Sequence, residues 1–488
     1  PMILSTGMST NAEVIEVVSF LNNRKSEFCL LHCNSTYPAP LHDLNLNWMK
    51  ELKKIHHNIG YSGHERGTAP TLASVALGAR VIERHFTLDR EMEGPDHAAS
   101  LEFSTFKELV ISIRQIEESL GERGEKGERI LSQGEMINKE NLSKSLVASN
   151  SILKGKIISQ EDISVLSPGL GLSPLKISEL IGKEAKRDLH KDDFFFPSDL
   201  EEKVIMPRAY KFKRPWGIPV RYHDFQLYDK LISPDIYEFH LSYSDMDIDP
   251  SEYLQDEYSC GFVVHAPELF SGSHLMDLTS DNKEYRLRSI SETQKVIDIT
   301  RQLKNFFPLE ARPMIVANVG GFSMDKPMEE SKKQSSYEQF AKSLSELDTE
   351  GVEIIPQTMA PFPWHFGGQR FQNLFVRIDE IVKWCKELNL RMCFDVSHSS
   401  LTCNYYKEDF YEFADKIAPF TSHLHLGDAI GLNGEGMQIG EGEIDFGKLS
   451  SVLSEKCPKA SFIPEIWQGH RDQGSGFWIA LEKLEKVL

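Results

Sequence analysis

The sequence predicts an α/β protein that contains two sheets of the barrel type. Eight short apolar or β-branched runs lie between Gly217 and Gly469, and helical stretches separate most of them. Four further strand and helix units alternate between residue 1 and about residue 120. Such alternation implies parallel sheets with right-handed crossovers. Eight units complete a (β/α)8 barrel, whereas four units make half of one.

The eight runs of the complete barrel share a polar ending. Their sequences are GIPVRYHD (217–224), IYEFHLS (236–242), CGFVVHAPE (260–268), MIVANVGG (314–321), VEIIPQTM (352–359), RMCFDVSH (391–398), SHLHLGDA (422–429) and SFIPEIWQGH (461–470). In a (β/α)8 barrel the carboxyl ends of the strands form the active-site face. The His, Asp, Gln and Glu side chains at these ends are therefore candidates for a functional site.

The N-terminal part predicts a partial barrel. Its strands are expected at 2–6, 27–33, 58–62 and 80–86, and its helices at about 10–23, 43–56, 68–78 and 103–120. A half barrel leaves two strand edges unpaired. Because Pro1 is not an initiator Met and the first strand has nothing leading into it, we expect further sequence upstream, with processing of the chain as the alternative.

Composition shifts divide the chain into four parts. Residues 1–120 hold the half barrel, and the Gly-rich and charged residues 121–140 indicate a linker. Residues 141–202 form a small β-rich unit with Gly and Pro turns and a short helix at 176–182. Residues 203–488 hold the complete barrel.

Charge and cysteine content narrow the class of protein. The net charge of −19 argues against nucleic-acid or anionic-membrane partners, which need basic surface. No run approaches the ~20 apolar residues of a membrane span, and no signal peptide is visible. The seven dispersed cysteines indicate reduced thiols rather than a disulfide framework. We expect a cytoplasmic protein.

Two histidines mark a candidate metal site in the half barrel. His64 in GYSGHERG and His85 in VIERHFTLD each end a strand in consecutive units. Neighbouring parallel strands lie ~4.8 Å apart, so both imidazoles can reach one divalent metal. Hydrogen bonds within the barrel rim are the alternative explanation.

Several longer motifs carry a resemblance. LSTGMS, LLHCNSTYPAP, GYSGHERG and ALGARVIERHFTLDREMEGPDHAASLE, together with the unit at 141–200, resemble the sialic acid synthase family. The small unit looks like the SAF (antifreeze-like) domain of that family. The resemblance implies a transferase that condenses phosphoenolpyruvate with an N-acyl hexosamine to make nonulosonic acids. It also implies that a homodimer is possible.

The resemblance assigns roles to individual residues. His64 and His85 would bind the catalytic Mn²⁺ or Mg²⁺, which would act on the sugar aldehyde as a Lewis acid. Ser35, Tyr37 and Ser62 match positions that hold phosphoenolpyruvate, although Tyr37 could merely cap its loop. Asp96 in GPDH matches an acidic residue at the rim of the site.

Two positions depart from the family pattern. The family usually has an acid between the serine and the histidine of the YSGH motif, where this chain has Gly63. The arginine that the SAF domain gives to a neighbouring subunit is replaced by Ser167. The positions that match the family's active-site lysines and glutamates would lie upstream of Pro1, so the chain by itself should not be a competent synthase.

The complete barrel carries a second candidate metal site. Gln357, Asp395, His398, His423, His425 and Glu465 are expected at the ends of four consecutive strands, the fifth to the eighth. Carboxylates and imidazoles from adjacent strands suit Mn²⁺, Co²⁺ or Mg²⁺. For any single residue, a hydrogen bond in the rim is the alternative.

The spacing of these residues resembles the xylose isomerase-like superfamily of sugar isomerases and epimerases. D-x-x-H, H-x-H-x-x-D, GEGEIDF (440–446) and a strand-end Glu fit it, as do HAPE (265–268) and EFHLSYSD (238–245). The resemblance makes Asp395, His425 and Glu465 metal ligands. His398 and His423 would contact substrate hydroxyls or the carbonyl group, with Glu465 as the base.

Gln357 departs from this superfamily, which normally has a Glu at the end of the fifth strand. A neutral amide ligates weakly and cannot take a proton at neutral pH. Three readings stay open: a one-base isomerase, a lyase or hydrolase, and a sugar-binding domain without turnover. Trp364 and Phe366 are candidates for stacking on a sugar or for packing of their own loop.

Overall fold

The computed structural model of the protein describes residues 1–121, 129, 131–201, 205–324, 326–363 and 370–488. The chain divides into two units, Pro1–Ile130 and Leu131–Leu488. The aromatic candidates Trp364 and Phe366 lie outside the described residues. Among those described, no helix combines the length and apolar character that crossing a bilayer requires.

The first unit is built on a parallel sheet with its strands in chain order. The strands are β1 (Met2–Ser5), β2 (Phe28–Cys33), β3 (Ile59–Gly63) and β4 (Val81–Arg84). The helices are α1 (Asn11–Asn23), α2 (Trp48–Ile55), α3 (Ala69–Ala76) and α4 (Phe103–Leu120). These elements confirm the predicted half barrel, and they place His64 directly after β3 and His85 directly after β4.

An apolar cluster and one buried ion pair hold this unit together. The cluster joins the sheet to α1 and α2 through Val14, Val18, Leu21, Phe28, Leu30, Met49, Leu52, Ile59 and Tyr61. Arg84 Nη1 lies 3.1 Å from Glu65 Oε1, and neither side chain is exposed. Tyr61 and Thr71 donate hydrogen bonds of 3.0 and 2.8 Å to the same carboxylate. Glu65 thus ties the segment after β3 to β4.

A small β-rich domain opens the second unit. It contains α5 (Gln133–Leu142), the antiparallel strands β5 (Ser145–Ala148) and β6 (Ile163–Leu166), and the short helix α6 (Ile177–Leu180). Helix α5 occupies the second half of the segment that the sequence indicated as a linker. Ser132 and Glu135 start this helix because they form a reciprocal capping box.

The rest of the second unit is a (β/α)8 barrel. In chain order its strands are β7 (Gly217–Val220), β8 (Ile236–His240), β9 (Gly261–His265), β10 (Leu269–Phe270), β11 (His274–Leu275), β12 (Met314–Ala317), β13 (Phe322–Met324), β14 (Glu353–Pro356), β15 (Arg370–Gln372), β16 (Met392–Asp395), β17 (Thr421–Leu426), β18 (Asp428–Ile430), β19 (Gly434–Met437) and β20 (Ser461–Pro464). Three antiparallel pairs, β10–β11, β13–β15 and β18–β19, lie outside the barrel wall.

The barrel wall runs β7–β8–β9–β12–β14–β16–β17–β20, which confirms the eight predicted strands. Two parallel sheets supply it, and single bridges between Gln357 and Cys393 and between Trp216 and Phe462 join them into a ring. Closure removes the exposed edges that an open sheet would present.

Helices surround this wall. They are α7 (Tyr222–Asp229), α8 (Lys283–Leu303), α9 (Glu330–Ser345), α10 (Ile378–Glu387), α11 (Val396–Tyr406), α12 (Phe410–Ile417), α13 (Phe446–Lys456) and α14 (Arg471–Leu484). One predicted position needs correction, because His398 lies in the first turn of α11 and not at the end of a strand. The Asp395 carboxylate accepts a hydrogen bond from the His398 backbone N–H and so starts the helix there.

The interior of the barrel has an apolar layer and a polar layer. Ile236, Val263, Val316, Ile355, Cys393 and Ile463 pack together from six strands. Successive side chains of a strand point to opposite faces, so the residue two positions further along also points inward. Those next positions are Glu238, His265, Asn318, Gln357, Asp395 and Glu465. The polar layer therefore lies toward the carboxyl ends of the strands.

Replacing Arg84 by Met should locally destabilise the first unit, because the Glu65 charge would remain buried without its partner. The expected cost is about 3–5 kcal/mol. Hydrogen exchange of the backbone amides of β3 and β4 in the full chain measures this loss of local stability. Arg114→Met is the control, since the ion pair of Arg114 with Glu117 is largely exposed. Unchanged protection in Arg84→Met would contradict the role of this pair.

Candidate functional sites

Three aromatic side chains converge at the carboxyl ends of β2, β3 and β4. The ring centroids of His64 and His85 lie 5.0 Å apart, and the Tyr37 ring lies 4.2 Å from His64 and 5.6 Å from His85. The two histidines that the sequence singled out are thus neighbours. Tyr37 is 42% exposed, so one face of this group is open.

A backbone contact orients the His64 ring. Nδ1 lies 2.7 Å from the carbonyl oxygen of Asn34, which can only accept, so the ring must carry its proton on Nδ1. In the neutral imidazole Nε2 then keeps a free lone pair. Metal-binding histidines commonly donate their other N–H to a carbonyl in this way. The geometry therefore suits His64 to ligate through Nε2.

The other predicted residues of this site differ in accessibility. Ser62 is almost fully buried, and its hydroxyl donates a 2.6 Å hydrogen bond to Glu83. Ser35 is partly buried, and its Oγ lies 3.9 Å from Cys33 Sγ. Asp96 is exposed. Burial raises the pKa of Tyr37, and the charges of Cys33, Asp96 and Glu83 add to this rise.

Packing explains why position 63 carries no side chain. A Cβ atom added to Gly63 would lie 2.7 Å from Glu65, 2.8 Å from Tyr61 and 2.9 Å from Arg84. All three belong to the buried ion-pair group. Glu65, which the sequence interpretation did not single out, fills the space that a family-type acid at position 63 would need.

In the complete barrel, four predicted residues converge on one point of the polar layer. The Gln357 side-chain nitrogen lies 2.9 Å from Asp395 Oδ2 and 3.2 Å from His425 Nδ1. Glu465 Oε2 lies 2.8 Å from the same Nδ1. Gln357, Asp395 and His425 are buried, whereas the Glu465 side chain is one third exposed. The group therefore opens to solvent on the Glu465 side.

His265 also reaches this group, although the sequence interpretation gave it no role. Its Nε2 lies 3.2 Å from Gln357 Oε1. One ligand-type atom each from His265, His425 and Glu465 lies within 4.8 Å of the others. The HAPE motif carried the only signal for this residue.

A fully buried carboxylate lies beneath the group. Glu238 Oε2 is 2.5 Å from His423 Nε2, and Glu238 Oε1 is 3.0 Å from His425 Nε2 and 2.9 Å from His240 Nε2. Burial favours the neutral acid, but the charge of His425 and the hydrogen bonds from His240 and His423 outweigh it and hold the pKa of Glu238 well below its usual range. Glu238 is therefore ionised.

His423 lies inside the barrel rather than at its mouth. The ring is fully buried, Nε2 faces Glu238, and Nδ1 lies 2.7 Å from Ser461 Oγ. Burial lowers the pKa of His423, so the ring is neutral and donates one proton to Glu238. This position favours a supporting role over the substrate contact that the sequence predicted.

His398 joins the site from the first turn of α11. Its Nδ1 lies 3.0 Å from the Thr358 carbonyl oxygen and its Nε2 lies 3.1 Å from Glu435. Burial disfavours the charged ring, but Asp395 and Glu435 outweigh this and raise the pKa of His398 well above its ordinary value. His398 is thus an imidazolium beside the Asp395 carboxylate.

The segment after β20, which carries Glu465, is fastened to the small β-rich domain. The Trp467 indole N–H donates a 2.6 Å hydrogen bond to Glu140 of α5. Arg471 lies 3.3 Å from the same carboxylate and donates to the Leu170 carbonyl oxygen. The loop that follows Ser167 therefore lies against the barrel.

Comparisons with known proteins match three stretches of the chain. Residues 1–125 match the NeuB family, residues 143–201 the SAF domain and residues 225–484 the xylose isomerase-like TIM barrel. The last match alone spans more than half of the chain.

Curated relatives match the N-terminal part. N,N'-diacetyllegionaminic acid synthase of Campylobacter jejuni is 41% identical over 196 residues, which are 39% of this chain and 58% of that protein. Human N-acetylneuraminate-9-phosphate synthase is 39% identical over 196 residues, 40% of this chain and 54% of that protein. The chain thus spans somewhat more than half the length of these relatives. A solved D-tagatose 3-epimerase-like protein is 20% identical, with a TM-score of 0.43 over 56% of this chain and 98% of that one.

Replacing Glu140 by Ala should loosen the segment 465–471, because Trp467 and Arg471 lose their shared partner. We expect faster hydrogen exchange in this segment and little change in β8 or β9. The control is Glu179→Ala, which removes an exposed ion pair with Lys176 in the same small domain. Equal exchange in both variants would show that the contact with Glu140 does not hold the segment.

Proposed function

Because this chain belongs to the xylose isomerase-like TIM barrel family and joins to that barrel a NeuB-family segment and a SAF domain, we propose a bifunctional role in nonulosonic acid biosynthesis. The first unit would contribute to a phosphoenolpyruvate-dependent synthase. The barrel would be a metal-dependent isomerase or epimerase for a related sugar.

The convergence of Gln357, Asp395, His425 and Glu465 carries the proposal for the barrel. The amide of Gln357 lies within hydrogen-bonding distance of Asp395 and of His425, and His425 lies within that distance of Glu465. This mixture of oxygen and nitrogen donors fits Mn²⁺, Co²⁺ or Mg²⁺. His425 would offer Nδ1, because its Nε2 faces Glu238. A bound cation would supply Lewis-acid polarisation of a sugar carbonyl or hydroxyl oxygen.

Glu465 is the group that we assign as the base. Burial disfavours its charge, but His425 outweighs this, so the pKa of Glu465 is lowered and the side chain is a carboxylate at neutral pH. It is also the most exposed member of the group, so it can reach a substrate carbon. Glu465 would take the proton from the hydroxyl-bearing carbon beside the carbonyl and return it to the carbonyl carbon, while the proton of that hydroxyl passes to the carbonyl oxygen. The charged His398 would stabilise negative charge on a substrate oxygen.

Gln357 restricts the chemistry. A second carboxylate at this strand end could exchange protons with the opposite face of the substrate, whereas an amide cannot. The site therefore favours transfer by one base on one face of the sugar.

For the first unit we infer a share in the condensation of phosphoenolpyruvate with an N-acyl hexosamine. The names of the relatives support the product class, since two of them are synthases of legionaminic acid and N-acetylneuraminate 9-phosphate. His64 and His85 would hold Mn²⁺ or Mg²⁺, and Ser35, Tyr37 and Ser62 would hold phosphoenolpyruvate. Asp96 would lie at the rim of that site.

A second candidate function is binding without turnover. Gln357 favours this alternative, because an amide stands where a two-base epimerase needs one of its two carboxylates. Under this alternative, the barrel would hold a metal and an amino sugar but exchange no protons.

We expect the full chain to bind two equivalents of Mn²⁺, one in each unit. His64→Ala should abolish one equivalent, and His425→Ala should abolish the other, because each removes an imidazole ligand. Isothermal titration with Mn²⁺ counts the sites. His57→Ala, a change at an exposed histidine, is the control and should retain both. Two equivalents in either ligand variant would refute the corresponding site.

Glu465→Gln should abolish proton exchange on the sugar, because the amide cannot accept a proton. The measurement is deuterium incorporation into candidate ketohexoses and N-acyl hexosamines in D₂O with Mn²⁺, followed by NMR. For a sugar that the native chain converts, we expect a loss of about 10²- to 10⁴-fold.

The control is Glu441→Gln, a change at an exposed carboxylate outside the group, which should leave exchange unaltered. Unaltered exchange in Glu465→Gln would reject Glu465 as the base. Sugar binding by the native chain without any exchange would favour the alternative function.

A further inference from the structure

The buried carboxylate of Glu238 has no part in the chemistry described above. It lies on β8, across the barrel from His425 on β17, and none of its surface is exposed. The apolar layer directly below it consists of aliphatic side chains and one cysteine. A charge in such surroundings destabilises the fold unless hydrogen bonds compensate it. Packing alone therefore does not explain why a carboxylate is buried at this position.

The two nitrogens of the His425 ring face different surroundings. Nε2 lies 3.0 Å from Glu238 Oε1 and 3.2 Å from Glu238 Oε2, deep in the barrel. Nδ1 faces Glu465, Gln357 and Asp395 on the open side. Carboxylate oxygens accept hydrogen bonds, so each nitrogen of the metal-free ring is placed to donate one, Nε2 to Glu238 and Nδ1 to Glu465.

We propose that Glu238 is the positioning residue of the barrel site, which fixes the His425 ring with Nε2–H toward itself and Nδ1 toward the cation position. This inference rests on the proposed metal site. A cation would replace the proton that Nδ1 shares with Glu465 on the open side, whereas the Nε2 proton is held by Glu238 deep in the barrel, so Nδ1 is the nitrogen that can bind a cation. The same carboxylate also prevents rotation of the ring, because both of its oxygens lie within hydrogen-bonding distance of Nε2.

His423 and Ser461 hold Glu238 in place. The Ser461 hydroxyl lies 2.7 Å from His423 Nδ1, and His423 Nε2 donates to Glu238 Oε2 at 2.5 Å. The resulting chain runs Ser461–His423–Glu238–His425 and ends at the open group. It explains why H-x-H on β17 places two imidazoles on the same inner face, although only the second reaches the mouth.

If Glu238 had a purely structural role, its mutation would give a different result from the one that a positioning role gives. If Glu238 only balances buried charge, its replacement should lower stability and leave the ligand properties of His425 unchanged. If it positions His425, its replacement should weaken cation binding and change the ligand field. These two effects can be measured separately.

The test uses the full chain with Glu238→Gln and with Co²⁺ or Mn²⁺ alone as the probe. Since outer-shell partners of metal ligands typically contribute 10- to 100-fold in affinity, we expect the dissociation constant of the barrel site to rise about 10- to 100-fold. The visible absorption spectrum of bound Co²⁺ should change as well. Both the parent chain and the Glu238→Gln variant carry His64→Ala, which removes the proposed metal site of the first unit. The signal then comes from the barrel site.

Asp428→Asn is the matched control. Asp428 is another fully buried carboxylate of the second unit, and it accepts hydrogen bonds from the backbone N–H groups of residues 429, 440, 442 and 444. We expect it to lower thermal stability and to leave the Co²⁺ spectrum and affinity close to those of the parent. A folded Glu238→Gln chain with the parent's affinity and spectrum would overturn the proposal.

Histidine-labelled ¹⁵N NMR of the unmutated chain tests the same point if Glu238→Gln fails to fold. We expect His425 Nε2 to carry a proton both without metal and with Zn²⁺, with assignment by comparison with His425→Gln. An unprotonated Nε2 would overturn the proposal. If the barrel binds no cation while Nε2 is protonated, the proposed metal function fails and the positioning of His425 by Glu238 stands.

Discussion

Closure of eight parallel strands into one barrel is the constraint on which the rest of the second unit depends. Inside a closed barrel every second residue of each strand must point inward, and the strands run in the same direction. Inward-pointing residues at one level of the strands, among them Ile236, Val263 and Ile463, form an apolar layer. The inward-pointing residues two positions further along, among them Glu238, His265 and Glu465, form the polar layer. The polar group at the mouth follows from this geometry.

The half barrel of the first unit follows the same principle with fewer strands. His64 and His85 come directly after neighbouring parallel strands, so their rings lie side by side. Glu65 and Arg84 are the chain neighbours of these two histidines and form an ion pair with no exposed side-chain surface. That pair also leaves no room at Gly63, so one local packing choice accounts for a departure from the family pattern.

The family of the barrel and the chemistry of its mouth are separate questions, because one barrel fold serves many reactions. Asp395, His425 and Glu465 argue for a bound cation, whereas Gln357 argues for one base in place of two. The small β-rich domain adds a constraint of its own. Through Glu140 it holds Trp467, two residues after Glu465. The proposed base thus lies on a segment that two domains position.

The sequence by itself determined the two kinds of barrel, the order of the domains and the residues at the strand ends. These follow from local alternation of strands and helices and from polar residues that end apolar runs. Asp395, His425, Gln357 and Glu465 were predicted as one group because the ends of neighbouring parallel strands meet at one face of a barrel.

Only the tertiary structure decided the roles of Glu238, His423 and Glu65. Glu238 stands in the middle of an apolar run, and its partner His425 comes 187 residues later, so no local pattern connects them. His423 and His425 are alike in sequence, yet only the ring of His425 reaches the group of Gln357 and Glu465, whereas both nitrogens of His423 face other buried groups. Depth and contact across the barrel depend on closure, which no single segment of the chain encodes.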